Sequence, residues 1–303
     1  MTEVLRLGRE VADALAARRP VVALESTLIT HGLAAPRNLE AARAAEAAVR
    51  HEGAVPATIA VHDGRLVVGL SGDELEALAA AGTVEKASRH NLAAALASGA
   101  WAGTTVSATM IAARLAGIRV FATGGIGGVH RGGEATLDIS ADLDELARTP
   151  VVVVCAGPKS ILDVPRTLEV LETRGVPVVG FGVDELPGFF ARSSGLPLHV
   201  RVDSAVEAAA LAARHWALGL ETGILVTVPV PEAAALTSAE AEAATQNAIR
   251  DAGAAGVHGP ATTPWLLARI AELTDGRSVV ANLALIEHNA TIAARIAVAM
   301  QDG

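Results

Sequence analysis

A single α/β/α sandwich, with a mixed but mainly parallel sheet and a helical C-terminal third, is the fold class predicted for this 303-residue chain. Three observations predict it. From Ile118 onward, apolar runs of strand length alternate with helix-length segments, the pattern of buried parallel strands covered on both faces. The stretch from Ser238 to Met300 reads as almost wholly helical. No Ser/Pro-rich linker, charge run or internal repeat divides the chain, so residues 1–303 read as one domain. Hydrophobic residues make up 51% of the sequence, with 4 Phe, 3 Trp and no Tyr. The core is therefore expected to be built from Ala, Val, Leu and Ile, whose small side chains allow close helix–sheet packing.

Taken in order, Thr2 to Arg19 reads as an amphipathic helix, with Val4, Leu5, Val11 and Leu15 near helical spacing. Val21 to Glu25 is a short apolar strand. Pro36 opens a helix that runs through an Ala-rich stretch to a stop at Gly53. Thr58 to Leu70 reads as a hairpin turned at Asp63-Gly64, which makes the sheet mixed. Ser71-Gly72-Asp73-Glu74 starts another helix. The later strands are expected at Arg119–Thr123, Val151–Ala156, Val176–Val183, His199–Val202 and Ile224–Val228. Helices are expected at Lys159–Arg174 and Ser204–Leu218.

Charge and composition narrow the function. A net charge of −9 argues against a nucleic-acid polymer as partner, because phosphate backbones select basic surfaces. A small anionic substrate is compatible with a locally positive pocket. The charged first 20 residues hold no signal-peptide core, and the apolar runs are too short to span a bilayer. The expectation is a soluble, cytoplasmic protein with no membrane partner. One cysteine, Cys155, excludes a disulfide framework and fits a buried strand. The 9 histidines show no zinc spacing. Of 24 basic residues only Lys86 and Lys159 are lysine. Coding bias explains the arginines, and the surviving lysines are candidates for amine chemistry, which arginine cannot perform.

The chemistry-bearing residues fall at strand ends, where ligands bind in open α/β sheets. Glu25 closes the first strand, where a carboxylate is costly to desolvate and suits a proton donor; a solvated strand-end carboxylate is the plainer reading. The run Thr123 to Gly133 is a Gly-rich loop that could cradle phosphate with its N–H groups or be a tight turn. Lys159 follows four valines at the expected start of a helix. Partial burial and the helix terminus would both favour the neutral, nucleophilic amine, against the plainer reading of an exposed first-turn lysine. Asp138 and Asp142 could hold a hard cation, although a helix cap at Ser140 or Asp142 is the commoner use of such residues.

Together these segments resemble the pseudouridine-5′-phosphate glycosidase family, which includes the indigoidine-cluster A-type proteins. The matching pieces are Ala23 to Gly32, Thr104 to Met110, Ala122 to Gly132, Asp138 to Leu143, Cys155 to Ser160 and Ala281 to Leu285. They cover nearly the whole chain. The resemblance implies reversible cleavage of the C–C glycosidic bond of pseudouridine 5′-phosphate to uracil and ribose 5-phosphate. It places Lys159 as the imine-forming nucleophile, Glu25 as proton donor, and Asp138 at a divalent cation, usually Mn2+, held largely through water. Lys86, Thr105, Val106, Ser140, Ala141 and Asp142 match substrate-contacting positions, with His130 and Asn282 lining the same pocket. A homotrimer is implied. Two departures stand out: Val228-Pro229-Val230-Pro231 replaces Asn-Pro-Ile-Pro, and Gly259-Pro260 stands where relatives carry Gly-Lys. They bear on base selectivity and on the C-terminal cover. Two competing functions share the lysine or the pocket: a Schiff-base aldolase acting on a sugar phosphate, and a catalytically silent sugar-phosphate sensor.

Overall fold

The computed structural model describes residues 3–257 and 262–301, so the departure at Gly259-Pro260 lies outside the described residues. The strands are β1 (Leu5–Leu7), β2 (Val21–Leu24), β3 (Val55–His62), β4 (Arg65–Val68), β5 (Glu85–Ala87), β6 (Ala102–Thr104), β7 (Val120–Ala122), β8 (Val129–His130), β9 (Val152–Cys155), β10 (Leu162–Asp163), β11 (Val178–Phe181), β12 (Val200–Val202) and β13 (Ile224–Thr227). The helices are α1 (Arg9–Ala16), α2 (Arg37–His51), α3 (Gly72–Ala80), α4 (Leu92–Ser98), α5 (Val106–Ala116), α6 (Gly133–Thr136), α7 (Ala141–Leu146), α8 (Val164–Thr173), α9 (Ala205–Ala217), α10 (Ser238–Ala254), α11 (Thr262–Leu273) and α12 (Arg277–Ala299).

One sheet runs in the order β1-β4-β3-β2-β7-β9-β13-β11-β12, with β6 and β5 attached through β3. From β3 through β12 along that path the pairings are parallel. The antiparallel pairs β3–β4 and β3–β6 make it mixed. The β3–β4 turn sits where Asp63-Gly64 predicts it, with φ of 49° and 70° at the two residues. Two consecutive positive φ values match the twist of a hairpin and favour Gly at the second position.

The strands are buried on both faces because successive side chains point to opposite sides. Val22, Leu24, Val120, Ala122, Val152 and Val154 join one core layer with Ala45 and Val49 of α2, Ala212 of α9 and Ala293 of α12. Ala23, Phe121, Val153 and Cys155 join the opposite layer with Ala108, Met110 and Ala112 of α5. Helices therefore cover both faces, as the sandwich reading expects. Alanines along α12 let it lie close over β2, β7 and β9, and this helix carries site residues.

The N-terminal helix expected at Thr2–Arg19 is corrected. Leu5–Leu7 is a strand paired in parallel with Leu66–Val68, and the helix begins only at Arg9. The Gly8 N–H donates to the Val68 carbonyl at 2.8 Å. A Cβ on Gly8 would lie 2.1 Å from the Gly69 oxygen. Sheet pairing thus overrides the N-terminal end of the helical spacing set by Val4, Leu5, Val11 and Leu15. The three-residue strands β5 and β6, too short to show a period, escape sequence reading altogether. The helix expected at Lys159–Arg174 begins at Val164, behind an Asp163 cap.

Candidate active site

Strands β2, β7 and β9 are adjacent and parallel, with Leu24, Ala122 and Val154 side by side. Their C-terminal ends therefore release Glu25, Thr123 and the Gly157–Lys159 segment onto one rim. Glu25 stands one residue beyond β2, the second strand of the chain, and is only 8% exposed. Its carboxylate is not left bare: Thr27 Oγ1 donates to Oε2, and Thr123 Oγ1 donates to Oε1. This answers the cost of burying an acid in an apolar setting.

Lys159 does not start a helix. It lies in a loop five residues ahead of α8, so the helix-terminus argument for a neutral amine does not apply. The loop is set by backbone contacts instead. Gly157, at φ +88°, reverses the chain and is confined by the Pro187 carbonyl 3.0 Å from where a Cβ would stand. The Ile126 N–H donates to the Gly157 oxygen and the Lys159 N–H to the Ile126 oxygen, both at 3.1 Å. The Gly-rich loop and the lysine loop are thus zipped together, which carries Lys159 to the rim.

Glu25, His31, Lys86, Lys159 and Asn282 line one cavity, with Phe189 in its wall and Thr263, Pro264 and Leu267 of α11 above it. Lys86 comes from β5, opposite Gly103 of β6. Burial holds its amine below the ordinary lysine range; the Lys159 charge adds to this, while Asp142 and Glu25 oppose it. His31 sits in the wide turn Leu28–Gly32 just after Glu25. Its imidazole is held below the usual histidine range by burial first and by the Lys86 charge second. Asn282, on α12, is 8% exposed. A cleft of about 640 Å3 elsewhere, between Arg131, Asp163 and Glu242, contains neither Glu25 nor Lys159. Its charges pair with one another, Arg131 with Glu242 at 3.4 Å and Arg166 with Asp163 at 2.6 Å.

The other predicted residues gather on the Asp142 side of the Gly-rich loop and are not among the described walls of that cavity. Thr105 caps α5, accepting from the Ala108 N–H at 3.4 Å, and Val106 is the buried first residue of that helix. Ser140 caps α7, accepting from the Asp142 N–H at 3.2 Å, and Ala141 follows as its first residue. The cap reading of Ser140 therefore holds. Asp142 is buried and bridges two elements: Oδ1 accepts from the Ser107 N–H at 2.9 Å and Oδ2 from the Gly127 N–H at 2.8 Å. Gly127 is required here, since a Cβ would stand 2.2 Å from Ser140 Oγ and 2.7 Å from Asp142 Oδ2.

Asp138 is exposed, and its nearest ionisable partner is His130, with Nδ1 at 3.9 Å from Oδ2. Among the described residues no group of three or more His, Cys, Asp and Glu side chains could hold a metal ion. A single open carboxylate suits a hard cation that keeps most of its water, and does not suit an all-protein cage.

Sequence reading missed Thr27, His31, Thr123 and Asn289 as site residues. Asn289 is fully buried on α12, and its Nδ2 donates to the Thr123 oxygen at 2.9 Å and, more loosely, the Gly124 oxygen at 3.4 Å. Its place seven residues, two helical turns, beyond Asn282 was the available signal.

A sequence model of indigoidine synthase A-like proteins matches residues 10–299. A pseudouridine-5′-phosphate glycosidase of Paracoccus denitrificans is 57% identical over 302 residues, covering 99% of each chain. One of Sorangium cellulosum is 56% identical over 299 residues, covering 98% of this chain and 94% of the relative. Among solved structures, the prealnumycin C-glycosynthase AlnA in complex with ribulose 5-phosphate superposes with a TM-score of 0.92 at 42% identity, covering 99% of this chain and 98% of that one. An indigoidine synthase A-like protein of Thermotoga maritima gives 0.89 at 36% identity, covering 98% and 97%. The chain belongs to the indigoidine synthase A-like family.

Proposed function

We propose that this protein cleaves the C–C glycosidic bond of pseudouridine 5′-phosphate, releasing uracil and ribose 5-phosphate, and that it can run the reaction in reverse. The observation that carries the reading is the convergence of Glu25, Lys86, Lys159 and Asn282 on one cavity at the mouth of the parallel strands. Relatives at 56–57% identity named for this activity support it. So does a structural neighbour named as a C-glycosynthase and bound to a pentulose phosphate.

Carbon is a poor leaving group, so the bond must be weakened before it breaks. Glu25 protonates the ribose ring oxygen and the ring opens. The Lys159 amine adds through its nitrogen lone pair at C1′. The added nitrogen releases a proton, which is returned to the uracil carbon as the C–C bond breaks, and the freed nitrogen lone pair forms an imine of ribose 5-phosphate. Water hydrolyses that imine and returns the free amine. Lys86 and the Gly-rich loop hold the phosphate, so that remote binding energy orients the reacting carbon. Asp138 would hold a Mn2+ ion that organises water and polar groups near the base. The protein acts as a cytoplasmic homotrimer in this reading; among the described residues no helix is long and apolar enough to cross a membrane.

The test is uracil release from pseudouridine 5′-phosphate, followed by absorbance with and without Mn2+. Borohydride should trap ribose 5-phosphate on the protein and fail to do so on Lys159→Ala, which should have no turnover. A Lys159→Ala variant with near-normal activity would refute the imine route.

A further inference from the structure

We infer that Thr27 and Thr123 are positioning residues that clamp the Glu25 carboxyl group in its proton-delivering orientation. Asn289 ties the second of them to helix α12. The inference rests on the reading of Glu25 as proton donor.

The two hydroxyls reach the carboxyl group from different parts of the chain. Thr27 follows Glu25 by two residues, whereas Thr123 stands 98 residues away, at the end of the neighbouring strand. Each takes a different oxygen, so rotation of the carboxyl plane would break both hydrogen bonds. Thr27 is 8% exposed and Thr123 4%, which keeps competing water scarce. Thr123 is itself fixed: its N–H donates to the Val154 oxygen at 3.0 Å, and its carbonyl accepts from Asn289 Nδ2 at 2.9 Å. A β-branched side chain on so constrained a backbone has little freedom at χ1.

Hydroxyls suit this task for a chemical reason. A threonine hydroxyl donates to one lone pair of a carboxyl oxygen and leaves the other site on that oxygen free to carry the proton. Both protonation states are therefore held in one place, while the proton passes between Glu25 and the ribose ring oxygen. A rigid cation in the same position would favour only the ionised state.

The test uses the whole enzyme and the uracil-release assay on Thr27→Val, Thr123→Val, Thr27→Ser, Thr123→Ser and Glu25→Gln. Valine keeps the threonine shape and removes the hydroxyl. Each valine variant should lose kcat by about 10-fold, with KM within about twofold, a share of the roughly 10²–10⁴-fold that positioned proton transfer contributes. The serine variants should recover to within about threefold of wild type, because the hydroxyl is restored. If Thr123→Val does not fold, Thr27→Val, at the more exposed position, carries the measurement. Valine variants with wild-type kcat beside an inactive Glu25→Gln would overturn the clamp and leave the proton-donor reading intact. A loss that serine does not repair also overturns it, since packing and not the hydroxyl would then be responsible. A fully active Glu25→Gln would remove the proton-donor reading, and the clamp with it.

Discussion

Asp142 joins two parts of the site that are distant in sequence, and Asp142→Asn isolates that join. The carboxylate accepts the Ser107 N–H, in the first turn of α5, on one oxygen and the Gly127 N–H, in the Gly-rich loop, on the other. Asparagine has nearly the same size but offers one oxygen and one NH2 group. One of the two backbone N–H groups must then face a donor, in a place where Asp142 is only 6% exposed. Losing one charge-assisted hydrogen bond and leaving its buried partner unsatisfied costs on the order of 2–4 kcal/mol. With an unfolding entropy near 2.1 cal/mol/K per residue, each kcal/mol lowers Tm by about 1.6 °C in a chain of this length. Calorimetry should therefore find Asp142→Asn melting about 3–6 °C below wild type. Asp144→Asn, on the same helix, is the control. Its ion pair with Arg174 is partly solvated, so the change should stay within about 1 kcal/mol. Equal melting of the two variants would refute the staple role assigned to Asp142.

Lys86 offers a test with a definite pH sign. Its folded-state proton affinity is lowered by burial and by Lys159, so between that lowered value and the ordinary lysine value of 10.5 the unfolded chain binds more protons. Wild-type stability then rises with pH across that window. Lys86→Met should be more stable than wild type to denaturant at pH 7, and the gain should shrink as pH approaches 10.5; a gain independent of pH would contradict the assignment. The Cys155 thiol is fully buried and pushed up to about 12, so a thiol reagent at pH 8 should leave the native protein unlabelled and react only after unfolding. Rapid native labelling would show that β9 opens. Ser71 and Glu74 form a capping box at α3. Ser71→Ala should cost about 1 kcal/mol, read as a small drop in the denaturation midpoint.

The strands from Val21 onward that carry the rim were legible in sequence, because a buried parallel strand needs a continuous apolar run and nothing local competes with it. Val151–Ala156 and Ile224–Val228 are read to within a residue or two of their observed bounds. The hairpin at Asp63-Gly64 was legible for the same kind of reason: its turn chemistry lies within two residues. Leu5–Leu7 was not, since its three residues become a strand only by pairing with β4, 61 positions away in the chain.

The site divides along the same line. Residue types alone singled out Glu25 and the two lysines, because an acid beside an apolar strand and a lysine in an arginine-rich chain stand out as chemistry. What sequence determined is therefore the layered class of the fold and the candidate residues for its chemistry. Only the tertiary structure decided that Lys159 sits in a loop clasped to Ile126, that Asp142 staples two segments, and that Thr27 and Thr123 grip one carboxyl group. Apart from the Thr27 contact, two residues from Glu25, those relations depend on hydrogen bonds between segments 15 to 98 residues apart, whose partners are common residue types with no period or spacing to mark them.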